Sequence, residues 1–112
     1  MAQESASLSP TNLQSEGAIN CYRFGRVVTI MGDSLRLSSD LANRANVQIS
    51  TIPASCRPSS GSRNGLVGSA TTTFGGTLQV IANNDGRLRI INFSGEAVPT
   101  NAYFGFILTY VM

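Results

Sequence analysis

Thr77-Leu78-Gln79-Val80-Ile81-Ala82-Asn83-Asn84-Asp85-Gly86-Arg87-Leu88-Arg89-Ile90-Ile91-Asn92-Phe93 is the stretch on which the fold turns. Runs rich in Leu, Val and Ile flank a cluster of Asn, Asp and Gly, the residues that accept positive φ in a hairpin turn. The pattern predicts strands over residues 77–82 and 87–93, joined tightly through Asn83, Asn84, Asp85 and Gly86. Arg87 and Arg89 fall on one face of the second strand and read as its solvated side.

The same grammar runs along the rest of the chain. Further strands are predicted over residues 18–24, 26–31, 34–37, 46–52, 65–74 and 103–111, punctuated by Gly and Asn, and no long segment carries apolar residues at helical spacing. Gly25 separates two apolar runs and permits a tight turn or a bulge. Residues 38–45 read as a short turn or a helical turn, with Ser39 or Asp40 as its N-cap. Short strands at roughly even spacing, without intervening helices, predict an all-β fold: an antiparallel sandwich or jelly-roll-like barrel of about eight strands.

A second stretch, Asn46-Val47-Gln48-Ile49-Ser50-Thr51-Ile52-Pro53-Ala54-Ser55-Cys56-Arg57-Pro58-Ser59, is an alternating strand halted by a proline. Val47, Ile49 and Thr51 would share one face, with Gln48, Ser50 and Ile52 on the other. Pro53 cannot donate to a ladder, and Pro58 holds Arg57 extended, which aims the one charged side chain of the loop. Pro53, Arg57 and Pro58 are therefore expected to be structural, with the guanidinium tying the loop to backbone carbonyls or a carboxylate.

At 112 residues the chain is about one domain. Residues 1–17 are polar and read as a linker or the end of a stem, without the basic start and apolar middle of a signal peptide; residues 18–112 form the domain. There is no histidine and no tryptophan, and all 8 basic residues are arginines, so the imidazole base, the commonest metal ligand and the Schiff-base amine are missing. Glu4 and Glu16 sit in the polar leader, while Asp33, Asp40, Asp85 and Glu96 sit in predicted turns, where an acid usually bonds the backbone. No acid–base pair, partnered nucleophile or phosphate-binding loop is visible, so no catalytic residue, metal or cofactor is assigned and an enzyme is not expected. A net charge of +2, scattered along the chain, is too small for a nucleic-acid footprint. No apolar run reaches the roughly 20 residues of a membrane span, so a soluble chain without membrane insertion is expected.

The last predicted strand is apolar on both sides. Tyr103, Ile107 and Val111 fall on one face, and Phe104, Phe106, Leu108, Tyr110 and Met112 on the other. One face fills the core and the other needs a cover, which a neighbouring subunit supplies most simply. Phe104, Phe106, Leu108 and Tyr110 are the expected oligomer interface. Cys21 and Cys56 would gain about 3 to 4 kcal/mol from cross-linking in the loop-entropy picture, but the expected state is a pair of free, buried thiols.

Several of these segments carry a family resemblance. Tyr22-Arg23-Phe24-Gly25-Arg26-Val27-Val28-Thr29-Ile30 resembles the opening strands of phage tail-fibre and receptor-binding head domains, with their aromatic, Gly and Val-Val positions. Thr51-Ile52-Pro53-Ala54-Ser55-Cys56-Arg57-Pro58-Ser59 is similar to the Leu-Pro and Arg-Pro segment that follows the next strand there, departing from it at Cys56, where that pattern has a large apolar residue. Asp85-Gly86-Arg87-Leu88-Arg89-Ile90 resembles the late hairpin of these domains, and Phe106-Ile107-Leu108-Thr109-Tyr110 their closing strand. The resemblance spans roughly residues 19–112, in order. It implies a β-sandwich head assembled in the bacterial cytoplasm as a homotrimer, carried at the virion tail tip with other tail or baseplate proteins, and adhering to a host cell-surface polysaccharide.

A sugar requires planar hydrogen-bonding groups for its hydroxyls and an aromatic face for its C–H side. The loops at residues 59–64, 83–85 and 99–103 carry Arg63, Asn64, Asn83, Asn84, Asp85, Asn101 and Tyr103, which are the expected ligand-binding residues. Two other functions fit the same fold: a structural cap that holds a fibre in register, and a secreted trimeric jelly-roll ligand, which would carry oxidised cysteines.

Overall fold

The computed structural model describes residues 3–15, 17–58, 66–73 and 77–112. Eight strands follow one another: β1 (Gln3–Leu8), β2 (Ala18–Phe24), β3 (Val27–Leu35), β4 (Asn46–Thr51), β5 (Leu66–Thr72), β6 (Thr77–Ala82), β7 (Arg87–Asn92) and β8 (Phe104–Val111). They form one antiparallel sheet in the order β1-β2-β3-β8-β5-β6-β7-β4, curled into a nearly closed barrel. Its shortest extent is 19 Å, which suits sheet layers packed about 10 Å apart. The all-β reading holds, as does the hairpin that decided it, with Asn83 N–H donating to Arg87 O (2.9 Å) and Gly86 at φ +97° in its turn. Gly25, at φ +64°, makes the tight turn between β2 and β3, whose ends pair Phe24 with Val27.

The sequence misplaces several details. Within the stretch read as a linker or the end of a stem, Gln3–Leu8 belongs to the domain: β1 pairs with β2 along its whole length, and Leu8 is buried in the core. The residues read as strands at 26–31 and 34–37 are largely one strand, because the Gly32–Leu35 step is a bulge rather than a turn, with Ser34 at φ +56°. Residues 38–45 hold a short turn and no helix: Ala45 N–H donates to Ala42 O (3.0 Å) across Asn43 and Arg44, with Arg44 at φ +67°. Leu41 instead pairs with Val98, while the Asp40 and Asn43 side chains accept from the Thr100 and Gly95 N–H groups at 3.1 Å each. A long-range partner thus takes up the Asp40 side chain that could have capped a helix. Of the strand expected over 65–74, its end residues Gly65 and Phe74 lie outside the described residues.

β4 departs from strict alternation at one point. Gln48 pairs with Arg89 and Ser50 with Leu88, so Ile49 is an extra residue, and Ile49 and Ser50 are both buried. The bulge leaves the Ile49 carbonyl free to accept from Thr11 N–H (2.8 Å). Asn12 Nδ2 donates to Gln48 O (3.0 Å) and Ser50 Oγ to Ser9 O (2.9 Å). The segment after β1 therefore clasps β4 and closes the seam between the outermost strands.

The interior is built in rows across neighbouring strands. Ile19, Gly32, Phe106 and Ala70 form one row, Cys21, Ile30 and Leu108 the next, and Arg23, Val28 and Tyr110 the last. In the first row a Cβ on Gly32 would strike the Phe106 ring, so the large residue lies over a glycine and an alanine. The Pro53–Arg57 segment covers the last row. It forms a 3-10 turn over Ala54–Cys56, which the sequence reading missed; Arg23 Nη1 donates to Ser55 O (2.6 Å) and the Tyr110 hydroxyl to Cys56 O.

Candidate functional site

β8 alternates cleanly, and its alternation creates the site. Phe104, Phe106, Leu108 and Tyr110 are buried in the core cluster, 3–6% exposed. The side chains expected at a subunit interface are thus the ones that fill the barrel, because the strand's largest residues meet the interior rows rather than its outer surface. The opposite face is the open one: Ile107 and Val111 are 64% and 63% exposed, and across β3 they pair with Met31 and Val27. Thr29 and Thr109 meet between them through their hydroxyls at 3.1 Å.

Gly105 interrupts this outer face. It pairs with Thr71 of β5 and lies beside the Asp33–Ser34 bulge of β3. A Cβ on Gly105 would come 3.0 Å from Gly32 O, so the position stays bare and becomes the floor of a groove. Asp33, Ser34, Thr71, Thr73 and Tyr103 stand around it, bordering an open groove of about 410 Å³. Asp33 Oδ1 accepts from the Ser34 hydroxyl at 3.3 Å. Tyr103 is fixed by its backbone, since its N–H donates to Thr73 Oγ1 (3.0 Å) and its carbonyl accepts from Thr73 N–H (2.9 Å). The Arg36 guanidinium lies over the Tyr103 ring, 5.0 Å from its centre. The groove therefore offers a carboxylate, several hydroxyls and an aromatic ring held against a cation, the chemistry that hydrogen-bonds and packs a polyhydroxyl ligand.

Among the expected ligand residues, Tyr103 alone lines this groove. Arg63 and Asn64 lie outside the described residues. Asn101 sits on the turn before Tyr103 and does not line the groove. Asn83, Asn84 and Asp85 occupy the β6–β7 hairpin; β5 pairs Thr71 with Thr77 and Leu66 with Ala82, so the hairpin and the groove lie at opposite ends of β6, roughly 20 Å apart at a strand's rise per residue. There Asn83 is largely buried and its Oδ1 accepts from Arg89 Nε (2.8 Å). Asp85 accepts from Arg87 N–H and pairs with Arg87 Nε (2.9 Å); the Arg87 N–H bond and the Arg87 charge hold its carboxyl below the usual carboxylate range. These groups serve the turn. Arg57 turns inward as well, its Nε donating to Ile52 O (2.8 Å) while the guanidinium lies against Gly86.

Asp33, Thr71, Thr73 and Gly105 were not among the expected residues. Asp33 reads as a turn aspartate because a bulge and a turn share the Gly-Asp signature. The available signals were a bare glycine within a strand apolar on both faces, and the run Thr71-Thr72-Thr73.

No family model and no curated protein matches the sequence. Among solved structures, the crystal structure of the head domain of the lactococcal phage bIL170 superposes with a TM-score of 0.76, covering 99% of each chain at 15% identity. This is the phage head-domain fold. At that identity the shared property is the path of the chain, and it extends across β1 as well as the strands that the sequence resemblance spans. The groove beside Gly105 thus sits on the outer wall of a phage head-domain fold, between its third, fifth and eighth strands.

Proposed function

We propose that this chain is the receptor-binding head of a phage tail-fibre or baseplate protein and that it recognises a saccharide of the bacterial cell surface. The observation that carries the reading is the end-to-end likeness to the bIL170 head domain, a structure described in connection with the receptor binding domains of lactococcal phages. The chemistry of the groove supports the ligand class. Asp33 accepts from sugar hydroxyls, the threonines of β5 donate and accept, and Tyr103 packs against the C–H face.

The head acts by binding and performs no chemistry. It assembles in the bacterial cytoplasm as a homotrimer at the virion tail tip beside other tail proteins, and the exposed ladder of Val27, Met31, Ile107 and Val111 is the face that meets the neighbouring subunit. Fluorescently labelled protein is expected to bind host cells and to be displaced by their purified cell-wall polysaccharide. Tyr103→Ala and Asp33→Ala each lower that binding about tenfold or more, from one lost packing contact or charge-assisted bond, with melting unchanged. Cell binding that survives both substitutions would move the site elsewhere. A folded protein that binds no host cell would leave only a structural cap.

A further inference from the structure

Cys21 and Cys56 lie far apart in sequence and on different kinds of element, yet the barrel brings their side chains together. Cys21 points inward from β2, in the row beside Arg23, Val28 and Tyr110. Cys56 ends the 3-10 turn that plugs this end of the barrel, held by Arg23 and Tyr110 through the carbonyls of Ser55 and Cys56. Both thiols are free and buried, 1% and 5% exposed, and the Cys56 thiol acts on that of Cys21 at short range, disfavouring its ionisation. Nothing in the proposed binding role uses them.

We propose that Cys21 and Cys56 form a cross-linking site: thiols in a reducing compartment, and an internal disulfide once a disulfide oxidant such as oxidised glutathione reaches them. One cysteine sulfur attacks a glutathione sulfur, the oxidant's S–S bond breaks and one glutathione leaves. The second cysteine then displaces the other glutathione and closes the internal bond. The protein gives up two electrons and two protons, which leave as two molecules of reduced glutathione. Burial, which pushes the Cys21 thiol up to about 12, makes the closed barrel slow to react. Entry is through the turn, whose release from Arg23 and Tyr110 uncovers both sulfurs. After closure the turn is tied covalently to β2.

The test is oxidation of the full chain with oxidised glutathione, with and without urea below the unfolding transition. The expected product is a monomer lighter by two hydrogens, with one proteolytic fragment joining Cys21 to Cys56. It forms faster in urea, reverts with dithiothreitol and melts higher by roughly 10 °C. Cys21→Ser and Cys56→Ser should each leave one thiol that accumulates glutathione without an internal link. Glutathione adducts or linked dimers of the parent chain in place of the internal bond would overturn the proposal. So would a cross-linked monomer that melts lower, or failure to react even in urea. Mapping of the parent chain decides the matter if a serine variant does not fold.

Discussion

Gly86 meets two constraints at once. Its φ of +97° suits a residue without Cβ, and a Cβ there would strike the Arg57 guanidinium. The same glycine accepts from Ile52 N–H through its carbonyl (2.6 Å), while Arg57 Nε takes the Ile52 carbonyl (2.8 Å). One arginine thereby joins the β6–β7 turn to the double-proline loop. Gly86→Ala should destabilise by about 1–3 kcal/mol, because it adds backbone strain and displaces a hydrogen-bonded side chain. Arg57→Ala should cost about 1–2 kcal/mol by leaving the Ile52 carbonyl without its charged donor. Thermal melting of both variants checks this; unchanged melting of Arg57→Ala together with lost cell binding would make the arginine a receptor contact. The flanking prolines make the aim of Arg57 legible in the sequence. Its contact with the hairpin is not, because Gly86 lies about thirty residues away and is brought close only by the pairing of β4 with β7.

Among the elements, β1 and β8 show opposite limits of sequence reading. Gln3-Glu4-Ser5-Ala6-Ser7-Leu8 has little β propensity and becomes a strand because β2 offers it an edge. Only Leu8 announces burial, and a lone leucine in a polar leader carries no period. Leu8→Ala should cost about 2–4 kcal/mol, read from urea unfolding, since it empties a core position beneath the outermost strand. A neutral result would mean that β1 is not docked. β8 was legible as a strand and as one with a second apolar face, but which face looks inward depends on the partners in each row, and these are set by register. Ile107→Glu should dissociate the proposed trimer into 11.8 kDa monomers in light scattering while the fold persists, because Ile107 is 64% exposed. A wild-type chain already monomeric at micromolar concentration would remove the interface.

At the scale of the whole molecule, the response to alkali gathers at the plugged end of the barrel. Burial and the Cys56 thiol raise Cys21 from its ordinary 9.0 to about 12, and burial with both thiols pushes the Tyr110 hydroxyl up as well. The unfolded chain therefore gives up these protons at lower pH than the folded one, so their contribution is complete below about pH 9 and is lost as pH rises toward the folded values. Stability should fall from about pH 9 upward, and Cys21→Ser should flatten that decline; an equal decline in the variant would assign it to other groups. At this scale the fold class was legible from turn residues and strand spacing, while the groove was not, since it is a bare glycine framed by residues from separate strands. The seam clasp has one more consequence. By engaging the Gln48 and Ile49 carbonyls, Asn12 and Thr11 occupy hydrogen-bonding groups that β4 would otherwise offer to a strand from another molecule. That margin is thereby guarded against strand-by-strand aggregation, and contact between copies is left to the faces of the sheet.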